Sequence, residues 1–164
     1  MRANSKRTTN RARVLIVDDH VDFADKCRSI LESQFEVVGV VLDGSSLAQA
    51  VTTLKPEVVI IDMAMHPWSG FDLGEQVKAA RPEAKSIYMT AASDFDDAVV
   101  AFRLGGSGYV SKLDFPEELL VAVRCAIRGD MHLSPRAMKN QFPMKADCGL
   151  TTARGYPGRQ VGLP

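Results

Sequence analysis

Acidic, hydroxyl and amine side chains in this 164-residue chain fall directly after short apolar runs. Val14-Leu15-Ile16-Val17 leads into Asp18-Asp19, Val58-Val59-Ile60-Ile61 into Asp62, Ile87-Tyr88-Met89 into Thr90, and Tyr109-Val110 into Ser111-Lys112. Brief β-branched stretches of this kind read as strands of a parallel sheet covered on both faces. Ligands in such sheets sit beyond the carboxyl ends of the strands, which is where all these polar groups would collect. Like charges about 4 Å apart repel by roughly 4 kcal/mol at an effective dielectric near 20, so three acids in one pocket demand a cation. Mg²⁺ suits them: it takes a few protein oxygens, keeps several waters and leaves room for phosphate oxygens. Asp18 and Asp19 would hold the metal directly or through water, while Asp62 would both ligate it and supply a nucleophilic oxygen. Lys112 and the metal would neutralise charge on a transferring phosphoryl group.

The gaps between these runs are long enough for helical crossovers. Periodicity predicts helices over residues 22–33 (stripe Phe23, Cys27, Ile30, Leu31, with Asp22 as N-cap), 45–54 (Leu47, Ala50, Val51, Leu54, capped by Ser45) and 71–80. Two more follow over 95–104 (Phe95, Val99, Phe102, Leu104) and 117–128 (Leu120, Val123, Ile127), the last opened by Pro116 and closed by Gly129. With residues 36–41 as the remaining strand, the chain reads as an α/β domain, a doubly wound five-stranded parallel sheet flanked by five helices.

Charge divides the chain the same way. Residues 1–13 carry five Lys/Arg and no acid, and residues 131–164 carry five against the single Asp147; the chain sums to zero, so the stretch between is strongly acidic. The domain is therefore placed at 14–130, with a basic flexible arm at 1–13 and a basic, Pro/Gly-containing, disordered tail at 131–164. No apolar run approaches the roughly 18 residues of a membrane span, and the first segment lacks the hydrophobic stretch of a signal peptide. Cys27, Cys125 and Cys148 are scattered without metal or redox spacing. A reducing cytoplasm is the expected compartment.

Over residues 14–130 the chain resembles the receiver domain of two-component response regulators. The resemblance is carried by Asp18-Asp19, by Asp62 with Gly70 eight residues on, by Thr90-Ala91 and by Gly108-Tyr109-Val110-Ser111-Lys112. It implies a flavodoxin-like fold, Asp62 as phosphoacceptor, and a sensor histidine kinase or phosphotransfer protein as donor. Asp18 and Asp19 are then the Mg²⁺ pocket, Ala64 lends a backbone carbonyl to the metal, and Lys112 pairs with the phosphoryl group. Thr90 and Tyr109 become the switch pair, the hydroxyl moving to a phosphoryl oxygen and the ring following it inward. The surface from the fourth helix to the fifth strand would change with them, and is the surface implied for homodimerisation. The expected chemistry is self-phosphorylation and self-dephosphorylation, not an enzyme acting on a separate substrate.

Two positions depart from the family pattern. Proline is common four residues past the acceptor, where this chain has His66, read as solvated; proline often follows the lysine, where this chain has Leu113, so no cis peptide is expected there. Met131-His132-Leu133-Ser134-Pro135 is similar to the linker of the subfamily with a C-terminal LuxR-type helix-turn-helix, and Leu150-Thr151-Thr152-Ala153-Arg154 echoes the start of that domain. The helix-breaking Gly155-Tyr156-Pro157-Gly158 and Gly162-Leu163-Pro164 leave too little for a recognition helix, so DNA binding is not expected of this chain. Alternatives are a phosphorylation-independent receiver-like interaction module, or the receiver half of a transcriptional regulator whose DNA-binding domain is missing. A flavin carrier on this strand order would need a Ser/Thr/Gly-rich cradle after the first strand, and Asp18-Asp19-His20 is not one.

Overall fold

The computed structural model describes residues 10–92 and 94–138. Expectations for residues 1–9 and from 139 onward, Cys148 and residues 150–154 included, lie outside the described residues. The elements alternate as β1 (Arg13–Val17), α1 (Val21–Leu31), β2 (Glu36–Val41), α2 (Leu47–Leu54), β3 (Val58–Asp62) and α3 (Gly70–Ala80). They continue with β4 (Lys85–Thr90), α4 (Phe95–Arg103), β5 (Gly108–Ser111), α5 (Glu117–Arg128), β6 (His132–Leu133) and α6 (Pro135–Met138). The sheet runs β2-β1-β3-β4-β5-β6, every neighbouring pair parallel.

Alternation along the strands separates two cores, because successive side chains point to opposite faces. Val14, Ile16, Val58, Ile60, Ile87, Met89 and Val110 face α1 and α5, meeting Ala24, Cys27, Leu31, Leu119, Ala122, Val123 and Ala126. Leu15, Val17, Val59, Ile61, Tyr88 and Tyr109 face α2, α3 and α4, meeting Leu47, Val51, Leu73, Val77, Ala98 and Ala101. Burial on both faces is why these strands read as unbroken apolar runs.

The helix ends differ in detail from the sequence reading. His20, not Asp22, occupies the N-cap of α1, and its side chain makes no cap bond there. A short 3₁₀ turn over Gly44–Ser46 precedes α2, and Asp43 caps it by accepting the Ser45 N–H. Ser69 and Asp72 form a reciprocal capping box on α3. Gly129 closes α5 at φ 83°, a left-handed conformation that a Cβ disfavours. Gly74 on α3 is required by proximity, since a Cβ there would run into the Tyr88 ring and hydroxyl.

Two helix faces are corrected. Helix α4 buries the small Ala98 and Ala101, leaving Phe95, Val99, Phe102 and Leu104 partly covered, because a helix lying close to the sheet needs small residues at the contact. Ile127 is 42% exposed, and Ala126 takes the inward position on α5.

The largest departure is at the carboxyl end, where the sheet has six strands rather than five. Residues 132–138 extend the fold instead of trailing as a disordered linker, so the domain continues past residue 130. His132 and Leu133 pair with Gly108 and Tyr109. The buried Ser134 accepts the Ser111 N–H at 2.9 Å and donates its own N–H to the Tyr109 carbonyl at 3.0 Å. Arg136 binds Asp114 through both its backbone N–H and its guanidinium, each at 2.9 Å. The free edge of β5 is thus occupied, and a homodimer through helix four and strand five would meet this segment too. The basic arm is also shorter than expected: Arg13 begins β1 and its guanidinium holds the Leu54 carbonyl at 2.8 Å and Glu36 at 3.1 Å.

Ser134→Ala would remove the buried hydrogen bond from the Ser111 N–H to Ser134 Oγ, worth about 0.5–1.5 kcal/mol. Urea unfolding is expected to show a loss of that size, with Ser134→Thr losing less. An unchanged midpoint for Ser134→Ala would mean that this segment adds nothing to the fold.

Candidate functional site

Each polar residue singled out by position emerges from the carboxyl end of a strand. Asp18 directly follows β1, Asp62 ends β3, Thr90 ends β4, and Lys112 directly follows β5. In-register pairing of the strands aligns those ends, so residues 94 apart in sequence meet. Lys112 Nζ stands 2.9 Å from Asp18 Oδ2 and 3.2 Å from Asp62 Oδ1. Asp18, Asp19 and Asp62 each turn a carboxylate oxygen into a space where those atoms lie within 4.8 Å of one another. The cleft above them, about 530 Å³, is lined among others by Ala64, Ala91 and Lys112.

Burial sets the electrostatics. Asp18 and Asp62 are 3% and 2% exposed. Asp62 Oδ1 accepts the Ala64 N–H at 3.3 Å and faces Lys112, whereas Asp62 Oδ2 is buried without a hydrogen-bond partner among the described residues. Burial alone would lower the Lys112 pKa, but the contacts with Asp18 and Asp62 together outweigh it and hold the ammonium above its ordinary value. A buried carboxylate oxygen without a hydrogen bond, beside two further carboxylates, is a donor set for a hard divalent cation, and Mg²⁺ fits it.

Two neighbours complete the pocket that sequence reasoning overlooked. His20 Nδ1 lies 2.8 Å from Asp19 Oδ1, 3.2 Å from Asp18 Oδ1 and 3.8 Å from Asp62 Oδ2. The Phe23 ring, counted only as core, lies 4.3 Å from Lys112 Nζ and stacks obliquely on Phe115. The signal for His20 was its place next to the acid pair; Phe23 gave none, since its stripe position is satisfied by packing.

The other expected residues fall as follows. Thr90 Oγ1 donates to the Ala92 carbonyl at 2.6 Å and accepts the Ala92 N–H, so its hydroxyl faces its own loop rather than Asp62. Tyr109 is wholly buried, its hydroxyl without an aligned hydrogen-bond partner among the described residues. His66 is exposed, as expected. The Lys112–Leu113 bond is trans, and cis bonds occur at His66–Pro67 and Phe115–Pro116.

Burial, before any neighbouring charge, pushes Cys27, Tyr88 and Tyr109 each up to about 12, from 9.0, 10.0 and 10.0. The folded state therefore holds these protons more tightly than the unfolded chain does. Stability from Cys27 is whole below pH 9 and that from the two tyrosines below pH 10; each is lost as pH rises from there toward 12, at about 1.4 kcal/mol per unit for each group. Thermal melts are expected to hold level from pH 8 to 9 and then to fall, more steeply above pH 10, where Tyr109→Phe should flatten the decline. A melting temperature unchanged through pH 11 would contradict this.

The model of the response regulator receiver domain matches residues 14–124. The chain belongs to the response regulator receiver family. Among its relatives, the oxygen regulatory protein NreC of Staphylococcus haemolyticus is 31% identical over 136 residues, covering 79% of this chain and 63% of that protein. The DNA-binding response regulator MtrA of Mycolicibacterium smegmatis is 32% identical over 120 residues, covering 73% and 52%. This receiver chain thus spans between about half and two thirds of those curated relatives. A LuxR-family two-component response regulator from Aurantimonas sp. superposes with a TM-score of 0.74 at 25% identity, covering 79% of this chain and 94% of that one. A CheY-like receiver from Methanospirillum hungatei, at 23% identity and TM-score 0.66, shares the fold. Among the described residues no helix is long and apolar enough to cross a membrane.

Proposed function

We propose that this receiver accepts a phosphoryl group on Asp62, from a phosphohistidine of a sensor kinase or phosphotransfer protein, in a Mg²⁺-dependent reaction. The observation that carries the reading is the buried Asp62 Oδ2, without a hydrogen-bond partner among the described residues, beside Asp18 and Asp19, with Lys112 on the other oxygen. A carboxylate oxygen held without a partner is desolvated and available for bonding to phosphorus. As the new O–P bond forms, the P–N bond breaks and its electrons return to the donor imidazole.

Lys112 sits where it can follow charge onto the phosphoryl oxygens, which is the main task this chemistry sets a protein. Asp18 and Asp19, with the Ala64 carbonyl, would hold Mg²⁺. When bound, the ion supplies charge neutralisation at the phosphoryl oxygens. Thr90 can exchange the Ala92 carbonyl for a phosphoryl oxygen, freeing the loop ahead of α4. Tyr109 lies buried beside Ala98 and Ala101 and pairs with Leu133, so a shift at Thr90 would reach both α4 and the segment over residues 132–138. The chain then acts on no external substrate; it signals from the cytoplasm by changing a protein-interaction surface, including any homodimer contact through α4 and β5.

Incubation with a small phosphodonor, with Mg²⁺ or with a chelator, followed by intact-protein mass spectrometry, tests this. One added phosphoryl group is expected only with the metal. No labelling under either condition would favour the phosphorylation-independent interaction module.

A further inference from the structure

His20 is unexplained by helix capping, by packing, or by the phosphoryl chemistry just described. It occupies the N-cap position of α1, yet its side chain makes no cap bond, and the ring is 65% exposed. Its backbone N–H is fixed on Asp18 Oδ1 at 2.8 Å, which turns the ring across the mouth of the acidic pocket. Nδ1 faces all three carboxylates, at 2.8 Å from Asp19, 3.2 Å from Asp18 and 3.8 Å from Asp62. The last of these oxygens, Asp62 Oδ2, is the buried atom with no hydrogen-bond partner among the described residues. One imidazole nitrogen and three carboxylate oxygens therefore converge on one point, all within 4.8 Å of one another.

With bonds near 2.1 Å, donors on one small divalent ion stand about 3 Å apart when adjacent and about 4.2 Å when opposite, so separations from 2.8 Å to no more than 4.8 Å need only a slight adjustment to reach ligand distance. The chemistry of such a set differs from that of carboxylates alone. Mg²⁺ is hard and favours oxygen, whereas imidazole suits borderline first-row ions, whose affinities rise from Mn²⁺ through Co²⁺ toward Cu²⁺.

Resting on the reading of this pocket as a cation site, we propose that His20 is a fourth ligand that gives the pocket a preference for divalent first-row transition ions over Mg²⁺. The side chain places a nitrogen where an all-oxygen pocket would hold water. Its exposure lets the ring swing aside, so Mg²⁺ still binds through the carboxylates alone.

Calorimetric titration of the full chain with Co²⁺, Mn²⁺ and Mg²⁺ separately tests this, using wild type, His20→Ala and Asp19→Asn. Wild type is expected to bind Co²⁺ at least about tenfold more tightly than Mg²⁺. His20→Ala is expected to lose about tenfold in Co²⁺ affinity, with a smaller loss for Mn²⁺, and to hold Mg²⁺ within about twofold. The Co²⁺ complex of wild type should also show a paramagnetically shifted imidazole resonance that His20→Ala lacks. Equal Co²⁺ affinity in wild type and His20→Ala, or equal losses for Co²⁺ and Mg²⁺, would overturn the assignment of His20. Asp19→Asn should weaken every ion. If it weakens none, the cation pocket itself is wrong, and the proposal falls with it.

Discussion

Asp62→Asn is expected to take up no phosphoryl group from any donor, and to unfold at a higher denaturant concentration than the parent protein. The two effects share a cause. Asp62 is 2% exposed, and its Oδ2 has no hydrogen-bond partner among the described residues, so the folded state carries a desolvated carboxylate near Asp18 and Asp19. A buried polar atom left unmet costs on the order of 1–3 kcal/mol, and repulsion from like charges adds to it. The amide keeps the shape, removes the charge, and can donate to a neighbouring carboxylate. Its oxygen can still accept from Lys112 across the 3.2 Å contact, but the charge–charge attraction there is lost, which offsets part of the gain and leaves a net rise of about 1 kcal/mol. The amide oxygen is too poor a nucleophile to form an acyl phosphate, so labelling disappears whatever the stability does. Labelling equal to the parent would place the acceptor elsewhere; a fall in stability would mean that the pocket is not electrostatically frustrated.

Lys112→Ala is expected to be among the most destabilising single changes in the site when no divalent ion is present. Its ammonium bridges Asp18 and Asp62 and lies over the Phe23 ring, and among the described residues no other lysine or arginine pairs with either acid. Removing it leaves two nearly inaccessible carboxylates facing each other, and breaking a buried pair in this way costs about 3–5 kcal/mol. Urea unfolding in the presence of a chelator should show a loss of about 3 kcal/mol, and millimolar Mg²⁺ should return much of it by binding the folded state only. Phosphoryl labelling should remain detectable, since Asp62 is untouched, but any change in self-association should no longer follow it. A variant as stable as the parent in chelator would show that Lys112 does not hold this cluster together.

The sequence made the sheet and the pocket legible for the same reason. Strands covered on both faces leave uninterrupted apolar runs, and the polar residue that ends each run is the one displayed at the carboxyl edge. Asp18, Asp62, Thr90 and Lys112 are thus placed by the apolar run that each one ends or follows. The sixth strand is not. His132-Leu133 is too short for any periodicity, and what fixes it is a set of bonds from Ser134 to β5 and from Arg136 to Asp114, between residues distant in sequence. The α4 face was misread because size, not hydrophobicity, decides which side lies against the sheet, and alanine carries little weight in a hydrophobic pattern. His20 is not legible in the sequence because a histidine ahead of a helix is ordinary; only the direction of its ring makes it notable.

Capture of phosphorus by one particular oxygen of this pocket is read out by the position of the acyl phosphate. Borohydride reduces an acyl phosphate to the alcohol, so a phosphorylated aspartate becomes homoserine, which peptide mass spectrometry can locate. After treatment with a small phosphodonor and Mg²⁺, homoserine is predicted at position 62 and nowhere else. Homoserine at Asp18, Asp19 or another acid, with Asp62 unmodified, would remove Asp62 as the acceptor.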